Sequence, residues 1–175
     1  MRKIVFGCAN SLDNFIAREN GALDWLRWSD ETSEIMREMF QRFDAVLMGR
    51  KTYAAGLAMS GGKNPYPNVK TYVFSKTLKS SFDDALEIVS GDAVEFVRAL
   101  KNQTGKDICC MGGGEFAKTL FENDLIDEVG VNIHPILLGS GVPMFLAMKR
   151  QIEFELIESK ILKNNCVYLL YAVKK

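Results

Sequence analysis

The chain of 175 residues lacks an excess of either charge, because lysine plus arginine and aspartate plus glutamate number 22 each. A balanced chain gives no electrostatic reason to expect nucleic acid or an anionic membrane as a partner, so any anion site must be local. No apolar run approaches the ~18 residues of a membrane-spanning helix. Polar residues between Asn10 and Glu19 also interrupt any signal-peptide core. We therefore expect a cytoplasmic protein.

Cysteine and histidine are scarce, which bears on metal binding and on redox compartment. The spacing of the four cysteines matches no zinc pattern, and most of them stand in apolar, strand-like runs: Cys8, Cys109, Cys110 and Cys166. This favours buried thiols in a reducing compartment, with Cys109 and Cys110 on opposite faces of one strand. The single histidine, His134, ends a strand before a proline and has no nucleophile motif beside it, which favours a structural role. We expect no metal site.

Apolar periodicity divides the rest of the chain into alternating strands and helices. Strand patterns cover residues 3–9, 44–48, 69–75, 86–90, 107–111 and 126–134, and helical patterns cover 29–43, 50–59, 93–101 and 115–122. Two further strands, 152–157 and 166–173, flank a turn at 163–165 and predict an antiparallel hairpin. The order predicts one α/β domain over residues 1–175, with a mostly parallel central sheet, an antiparallel C-terminal hairpin and helices on both faces.

Two glycine-containing turns stand where a strand is followed by a helix. The first is Gly49-Arg50-Lys51-Thr52, and the second is Gly112-Gly113-Gly114-Glu115. A helix N-terminus offers unpaired N–H groups and partial positive charge, and glycine lets a phosphate approach the backbone. Together the turns predict a long anionic ligand such as a dinucleotide. If that ligand carries a 2′-phosphate, the natural partners are Arg50, Lys51 and Lys76.

Parts of the two turns also resemble other nucleotide-binding motifs. The second turn fits the pattern G-x-G-x-x-[GA], but several strands precede it and the next strand ends in His134 rather than in a ribose-binding acid, which disfavours a Rossmann domain. The first turn resembles the end of a nucleoside-triphosphate loop, but Asp44 stands where that loop requires glycine. Tight turns without a ligand, and a solvated pair of cations at a helix start, stay as alternatives.

The N-terminal third holds the candidate acids and flat aromatic groups. Asp13, Asp24 and Asp30 are the candidate acids near the loop, although a role as exposed caps is enough to explain Asp24 and Asp30. Either Ser29 or Asp30 could cap the first helix. Trp25 and Trp28 flank the same loop, where they either stack on a heterocycle or belong to the core.

Four segments occur in the order and spacing of a known family: residues 10–17 (Asn-Ser-Leu-Asp-Asn-Phe-Ile-Ala), 48–53, 112–115 and 137–141. On these segments the whole chain resembles a stand-alone reductase domain of riboflavin biosynthesis, which has a dihydrofolate-reductase-like fold. The resemblance implies an NADPH-dependent oxidoreductase that reduces a pyrimidine-linked sugar phosphate, and it favours a homodimer. Asn14 departs from the glycine of many relatives, although asparagine tolerates left-handed backbone.

The resemblance also assigns roles to individual residues. Ala9 and Ile16 would border the nicotinamide; Gly49, Arg50, Lys51 and Thr52 would hold the phosphate side of the adenosine half; Ser75 and Lys76 would contact adenosine and the 2′-phosphate; and Gly112, Gly113, Gly114 and Glu115 would hold the pyrophosphate. The substrate would lie near Asp13, Trp25, Trp28 and Tyr53, with Asp13 and Asp30 as the candidate catalytic acids.

Two alternatives stay open. Reduction of a pterin such as dihydrofolate needs a buried carboxylate for the pterin amidine, and Asp30 is its candidate. A nucleotide-binding protein without catalysis would bind NADPH and oxidise none of it. The sequence contains no H-x-E with P-C-x-x-C, the signature of the deaminase domain that often precedes such reductases, so only reduction is expected.

Overall fold

The computed structural model describes residues 1–79 and 85–174, and Lys175, the last residue of the predicted domain, lies outside them. Within these ranges no helix has the length and apolar character needed to cross a membrane. The strands are β1 (Ile4–Ser11), β2 (Phe15–Ala17), β3 (Phe43–Gly49), β4 (Lys70–Phe74), β5 (Leu86–Val89), β6 (Asp107–Met111), β7 (Glu128–His134), β8 (Val142–Pro143), β9 (Phe154–Ile161) and β10 (Val167–Val173). The helices are α1 (Asp30–Phe40), α2 (Arg50–Met59), α3 (Ala93–Asn102) and α4 (Gly114–Glu122).

The central sheet has eight strands in the order β5-β4-β3-β6-β1-β7-β10-β9. The strands from β5 to β7 in this order run parallel, and β10 pairs antiparallel with both β7 and β9. This confirms the predicted α/β fold with its antiparallel C-terminal hairpin. Because the parallel strands share one direction, their carboxyl ends and the loops that follow them meet at one edge of the sheet.

Apolar side chains cover both faces of the sheet. On one face Val97 of α3 and Leu120 of α4 pack with Cys110, and on the other Met39 of α1 and Tyr53 of α2 pack with Cys109. The predicted placement of helices on both faces, and of the neighbouring cysteines on opposite faces, is confirmed. All four cysteines are free thiols.

The four helices begin in two different ways. Ser29 caps α1 by accepting from the N–H of Thr32, and Asp92 caps α3 by accepting from two N–H groups. The N-cap residues of α2 and α4 are Gly49 and Gly113, and neither helix has a side-chain cap. The first N–H groups of α2 and α4 are therefore left for another acceptor.

Charged side chains are paired at the amino end of the parallel strands. Glu128, at the start of β7, accepts from Lys3 at 2.7 Å and from Arg42 at 3.0 Å, and Arg42 also contacts Asp107 at 3.0 Å. The same end of the sheet contains the pairs Arg2–Asp44 and Lys101–Asp127. Charge at this end is thus neutralised within the protein.

Candidate active site

The two glycine turns lie side by side at the carboxyl edge of the sheet. In the register of β3, Gly49 pairs with Phe74 of β4 on one side, and Met48 pairs with Met111 of β6 on the other. The first turn therefore lies between the segment of Ser75 and Lys76 and the second turn. Three segments that the sequence assigned to one cofactor are brought together.

Close contacts join the second turn to its surroundings. Gly112 has φ +78°, and a Cβ at this position would overlap the side chain of Thr52 in the first turn. A Cβ at Gly113 would overlap the carbonyl oxygen of Met144 and come within 3.2 Å of Ile16 Cδ1. Glycine is therefore required by space as well as by backbone conformation. The turn also reaches Ile16, the residue expected beside the nicotinamide.

The predicted phosphate-binding cations stand free at this edge. Arg50, Lys51 and Lys76 are exposed, and none of them forms an ion pair within the described residues. Ser75 Oγ accepts from the N–H of Leu78 at 2.9 Å, which folds the chain just after Lys76. The cations at the carboxyl ends of the strands, which have no ion-pair partner in the described residues, contrast with the paired charges at the amino ends.

Asp13 holds the N-terminal loop against the loop that follows β7. Its carboxylate accepts from Ser11 Oγ at 2.6 Å, from the N–H of Gly139 at 2.8 Å and from the N–H of Leu138 at 3.1 Å. The Ser11 hydroxyl, followed by these backbone donors, lowers the pKa of Asp13. A carboxylate that is ionised and already holds three donors is poorly suited to donate a proton, so its catalytic role stays a prediction without support here. Asn14 adopts φ +64°, as expected of a residue that tolerates left-handed backbone.

A cavity of about 150 Å³ opens between the sheet and α1. Its floor contains Gly7 of β1 paired directly with Gly130 of β7, and a Cβ at Gly7 would meet nothing within 4 Å. The remaining strand residues of its wall are Cys8, Ala9, Cys109, Met111, Asn132, His134 and Tyr168. The cavity thus exists because Gly7 and Gly130, which are paired across β1 and β7, place no side chain on the face of the sheet that α1 covers. Burial raises the pKa of Cys109 to about 12, so this thiol stays protonated.

Helix α1 and the segment before it form the other wall. Thr32, Ile35, Met36 and Met39 contribute from α1, and Leu26, Arg27 and Trp28 contribute from the preceding segment. Among the described residues of the wall there is no carboxylate. Asp30 is exposed at the first position of α1 and lies outside the wall, while Thr32 occupies the inward position. This placement gives no support to Asp30 as a proton donor or as a pterin ligand.

The aromatic residues proposed for the substrate have different positions. Trp28 is 58% exposed and lies in the cavity wall. Trp25 is only 5% exposed, and its ring packs edge-on against His134 with centroids 5.2 Å apart, outside the wall. Tyr53 packs within the core on the α1 side of the sheet and is also outside the wall. Only Trp28 is placed to contact a ligand in the cavity.

Asn132 and His134 line the cavity, although neither was predicted to be a site residue. His134 is 2% exposed, and its Nδ1 accepts from the N–H of Arg27 at 3.1 Å. Burial, and then the nearby Arg27, lower its pKa, so the ring is neutral near pH 7. Gly130 is the sequence feature that could have indicated these two residues. A glycine inside a strand often marks a site that a ligand or another backbone approaches closely. Because alternate residues of a strand share one face, Asn132 and His134 lie on the same face as Gly130.

Comparisons with known proteins identify relatives over nearly the whole chain. The family model described as the RibD C-terminal domain matches residues 2–168. The uncharacterized proteins YyaP and YwjB of Bacillus subtilis (strain 168) are similar to the chain. YyaP is 28% identical over 180 residues, covering 97% of this chain and 94% of its own length. YwjB is 32% identical over 160 residues, covering 91% of each.

Solved structures show the same fold. A Shewanella sp. PV-4 protein named for riboflavin biosynthesis has a TM-score of 0.85 at 30% identity and covers 100% of both chains. A Thermotoga maritima protein named as a diaminohydroxyphosphoribosylaminopyrimidine deaminase/5-amino-6-(5-phosphoribosylamino)uracil reductase has a TM-score of 0.73 at 17% identity, over 99% of this chain and 57% of that one. Because the family model matches residues 2–168, the chain belongs to the RibD C-terminal domain family.

Proposed function

We propose that this protein is a cytoplasmic, NADPH-dependent reductase that transfers a hydride to a pyrimidine-linked sugar phosphate, in the manner of a 5-amino-6-(5-phosphoribosylamino)uracil reductase. The observation that carries the proposal is the meeting of two uncapped helix starts, α2 and α4, at one sheet edge beside an apolar cavity. Membership of the RibD C-terminal domain family supports it.

The residues at this edge fit a dinucleotide phosphate. The turn at Gly112 and Gly113 leaves no room for a Cβ and presents backbone N–H groups at the start of α4, which suits a pyrophosphate. The free cations Arg50, Lys51 and Lys76 suit a 2′-phosphate, because guanidinium and ammonium groups bind phosphate directly. A reduced nicotinamide, when bound, supplies the hydride.

The chain's own residues supply position and an apolar environment. Gly7 and Ala9 leave space over the sheet, and the methionines of α1 form the apolar opposite side of the cavity. Orientation within such a site contributes on the order of 7 kcal/mol or more to catalysis. Since the described wall has no carboxylate, we propose that water delivers the proton to the reduced product.

A binding titration tests the cofactor assignment. We expect NADPH to bind much more tightly than NADH, measured by calorimetry on the purified protein. Changing Arg50, Lys51 or Lys76 to glutamine should weaken NADPH binding and leave NADH binding unchanged, because only NADPH carries the 2′-phosphate. The matched control is Lys149→Gln, an exposed lysine near the C-terminal end of α4. If neither NADPH nor NADH binds, the proposal is overturned.

The same experiments separate the alternatives. A protein that binds NADPH but oxidises none with pyrimidine or pterin substrates would be a binding protein without catalysis. Pterin reduction has no observation in its favour, because the described cavity wall lacks the carboxylate that an amidine needs.

We also propose a homodimer. Strand β9 ends the sheet and exposes apolar side chains, including Leu156, Ile157 and Ile161. An exposed apolar edge strand is prone to pair with another chain, and pairing with a second copy removes that edge. Light scattering after size-exclusion chromatography tests this: a dimer mass supports it, and a monomer mass at micromolar concentration contradicts it.

A further inference from the structure

Asn132 is a residue of the cavity wall with a buried polar atom that no described protein group satisfies. It lies in the cavity wall on β7, directly opposite Ala9 of β1. Its Oδ1 is buried without a hydrogen-bond partner among the described residues, and its Nδ2 lies 3.4 Å from Nε2 of His134. A buried polar group without a partner is costly, so one end of this amide is left for a ligand atom or a water molecule.

The state of His134 decides which end of the amide that is. Nδ1 of the ring accepts from the N–H of Arg27, so the neutral ring carries its proton on Nε2. A protonated Nε2 needs an acceptor, and in the described part of the chain the polar group beside it is the amide of Asn132. The two ends of an amide are assigned from such networks, so Oδ1 belongs toward His134. The NH2 group then takes the unpartnered position.

The other polar side chains of the wall are already engaged. Thr32 Oγ1 lies 2.9 Å from Ser29 Oγ and 3.2 Å from Nδ2 of Asn164. The hydroxyl of Tyr168 is directed at Sδ of Met39, 3.9 Å away. Within the described wall this leaves the amide of Asn132, the guanidinium of Arg27 and the indole N–H of Trp28 as the polar side-chain groups available to a ligand.

We infer that Asn132, oriented by His134, is a specificity residue whose NH2 group donates a hydrogen bond to a ring carbonyl oxygen of the substrate. The inference rests on the proposed function for the kind of ligand, and it adds the group that recognises it. A pyrimidinedione presents carbonyl oxygens, whereas a 2,4-diaminopyrimidine presents amino groups that would face the donor of Asn132. The site therefore selects the oxo form of the ring over the amino form.

Two probes and two kinds of variant test this. Uracil and 2,4-diaminopyrimidine are titrated separately into the full-length protein by ligand-detected NMR, and NADPH affinity is measured in parallel. We expect uracil to bind and 2,4-diaminopyrimidine to bind much more weakly. Asn132→Asp, which keeps the shape and removes the donor, and Asn132→Leu should each weaken uracil binding by about tenfold or more. NADPH affinity should be unchanged.

In this inference His134 acts through Asn132, so uracil binding by His134 variants is a separate test of the orienting role. His134→Leu removes the donor that orients the amide and should weaken uracil binding. His134→Gln, whose amide nitrogen can replace Nε2 as a donor, should restore most of it. A merely structural histidine would show the same loss of melting temperature in both variants and no difference in uracil binding.

The outcomes separate this inference from the proposed function. Unchanged uracil affinity in both Asn132 variants, or loss of NADPH affinity in place of uracil affinity, would overturn the inference and leave NADPH binding by the native protein intact. Absence of uracil binding by the native protein would also overturn it. Asn132-dependent uracil binding without any NADPH binding would support the inference and overturn the reductase.

Discussion

Gly112 and Thr52 are in contact across two turns that lie 60 residues apart in the chain. A Cβ at Gly112 would overlap Thr52 Oγ1 and lie 3.0 Å from its Cγ2. Thr52 belongs to the first turn of α2, whereas Gly112 precedes α4, so this contact fixes the spacing between the two helix starts. A ligand that spans both turns requires that spacing to be constant.

Gly112→Ala tests the contact. Alanine at φ +78° costs on the order of 1–2 kcal/mol from backbone strain, and the overlap with Thr52 also pushes the turns apart. We expect a lower melting temperature and a loss of NADPH affinity of tenfold or more. Gly62→Ala is the matched control, since Gly62 has φ +83° and open space around it. NADPH affinity equal to that of the control would show that the spacing does not matter.

Gly7→Val tests the cavity without disturbing the fold. A Cβ at Gly7 meets nothing within 4 Å, and valine favours strands, so we expect a melting temperature equal to or above that of the native protein. The new side chain occupies the cavity, so substrate turnover should fall severely. Gly91→Val adds the same group in open space outside the cavity wall and should leave turnover unchanged. Normal turnover by Gly7→Val would place the active site elsewhere.

Arg27→Gln tests the cation of the cavity wall. Arg27 is exposed, it is the only lysine or arginine in the described wall, and its side chain forms no ion pair within the described residues. If it binds the phosphate of the substrate, its loss removes a charged hydrogen bond of about 1.5–3 kcal/mol. We expect KM for a phosphorylated substrate to rise about tenfold or more while kcat changes little. The dephosphorylated substrate should show no such rise, and Arg98→Gln, an exposed residue of α3, serves as the control.

Asp30→Asn tests one of the two candidate acids. Asp30 is exposed in the first turn of α1, where a negative charge stabilises the helix by about 0.3–1 kcal/mol. We expect a small fall in melting temperature and unchanged turnover. Ser29→Ala, which removes the cap itself, should destabilise the protein more, by about 1 kcal/mol, again without loss of turnover. A loss of turnover beyond tenfold in Asp30→Asn alone would show that this carboxylate reaches the substrate.

Much of the fold could be predicted because its signals are local. The alternation of strand and helix patterns gave the parallel sheet, and the turn at 163–165 gave the hairpin, where Asn165 adopts φ +65°. Boundaries were less accurate. The first helix ends at Phe40 rather than at residue 43, because Phe43 joins β3 and pairs with Asp107.

The cavity could not be predicted in the same way, because it depends on which residues face each other across strands. Gly7 and Gly130 are 123 residues apart in the chain, and only the register of β1 and β7 places them together. Asp13 and Asp30 were candidate acids because of their residue type and their position near a loop. The structure shows that Asp13 is held by backbone N–H groups and that Thr32 has the inward position next to Asp30.

The separation of paired charges at one end of the strands from free cations at the other has a consequence for solution behaviour. A chain with no net charge still has an uneven electrostatic field, positive where Arg50, Lys51 and Lys76 lie. An anionic cofactor is therefore attracted toward that edge during diffusion, and added salt should slow its association. The short pairs of the buried Glu128 are screened much less. Ionic strength should thus change the rate of cofactor capture at concentrations that leave folding almost unaffected.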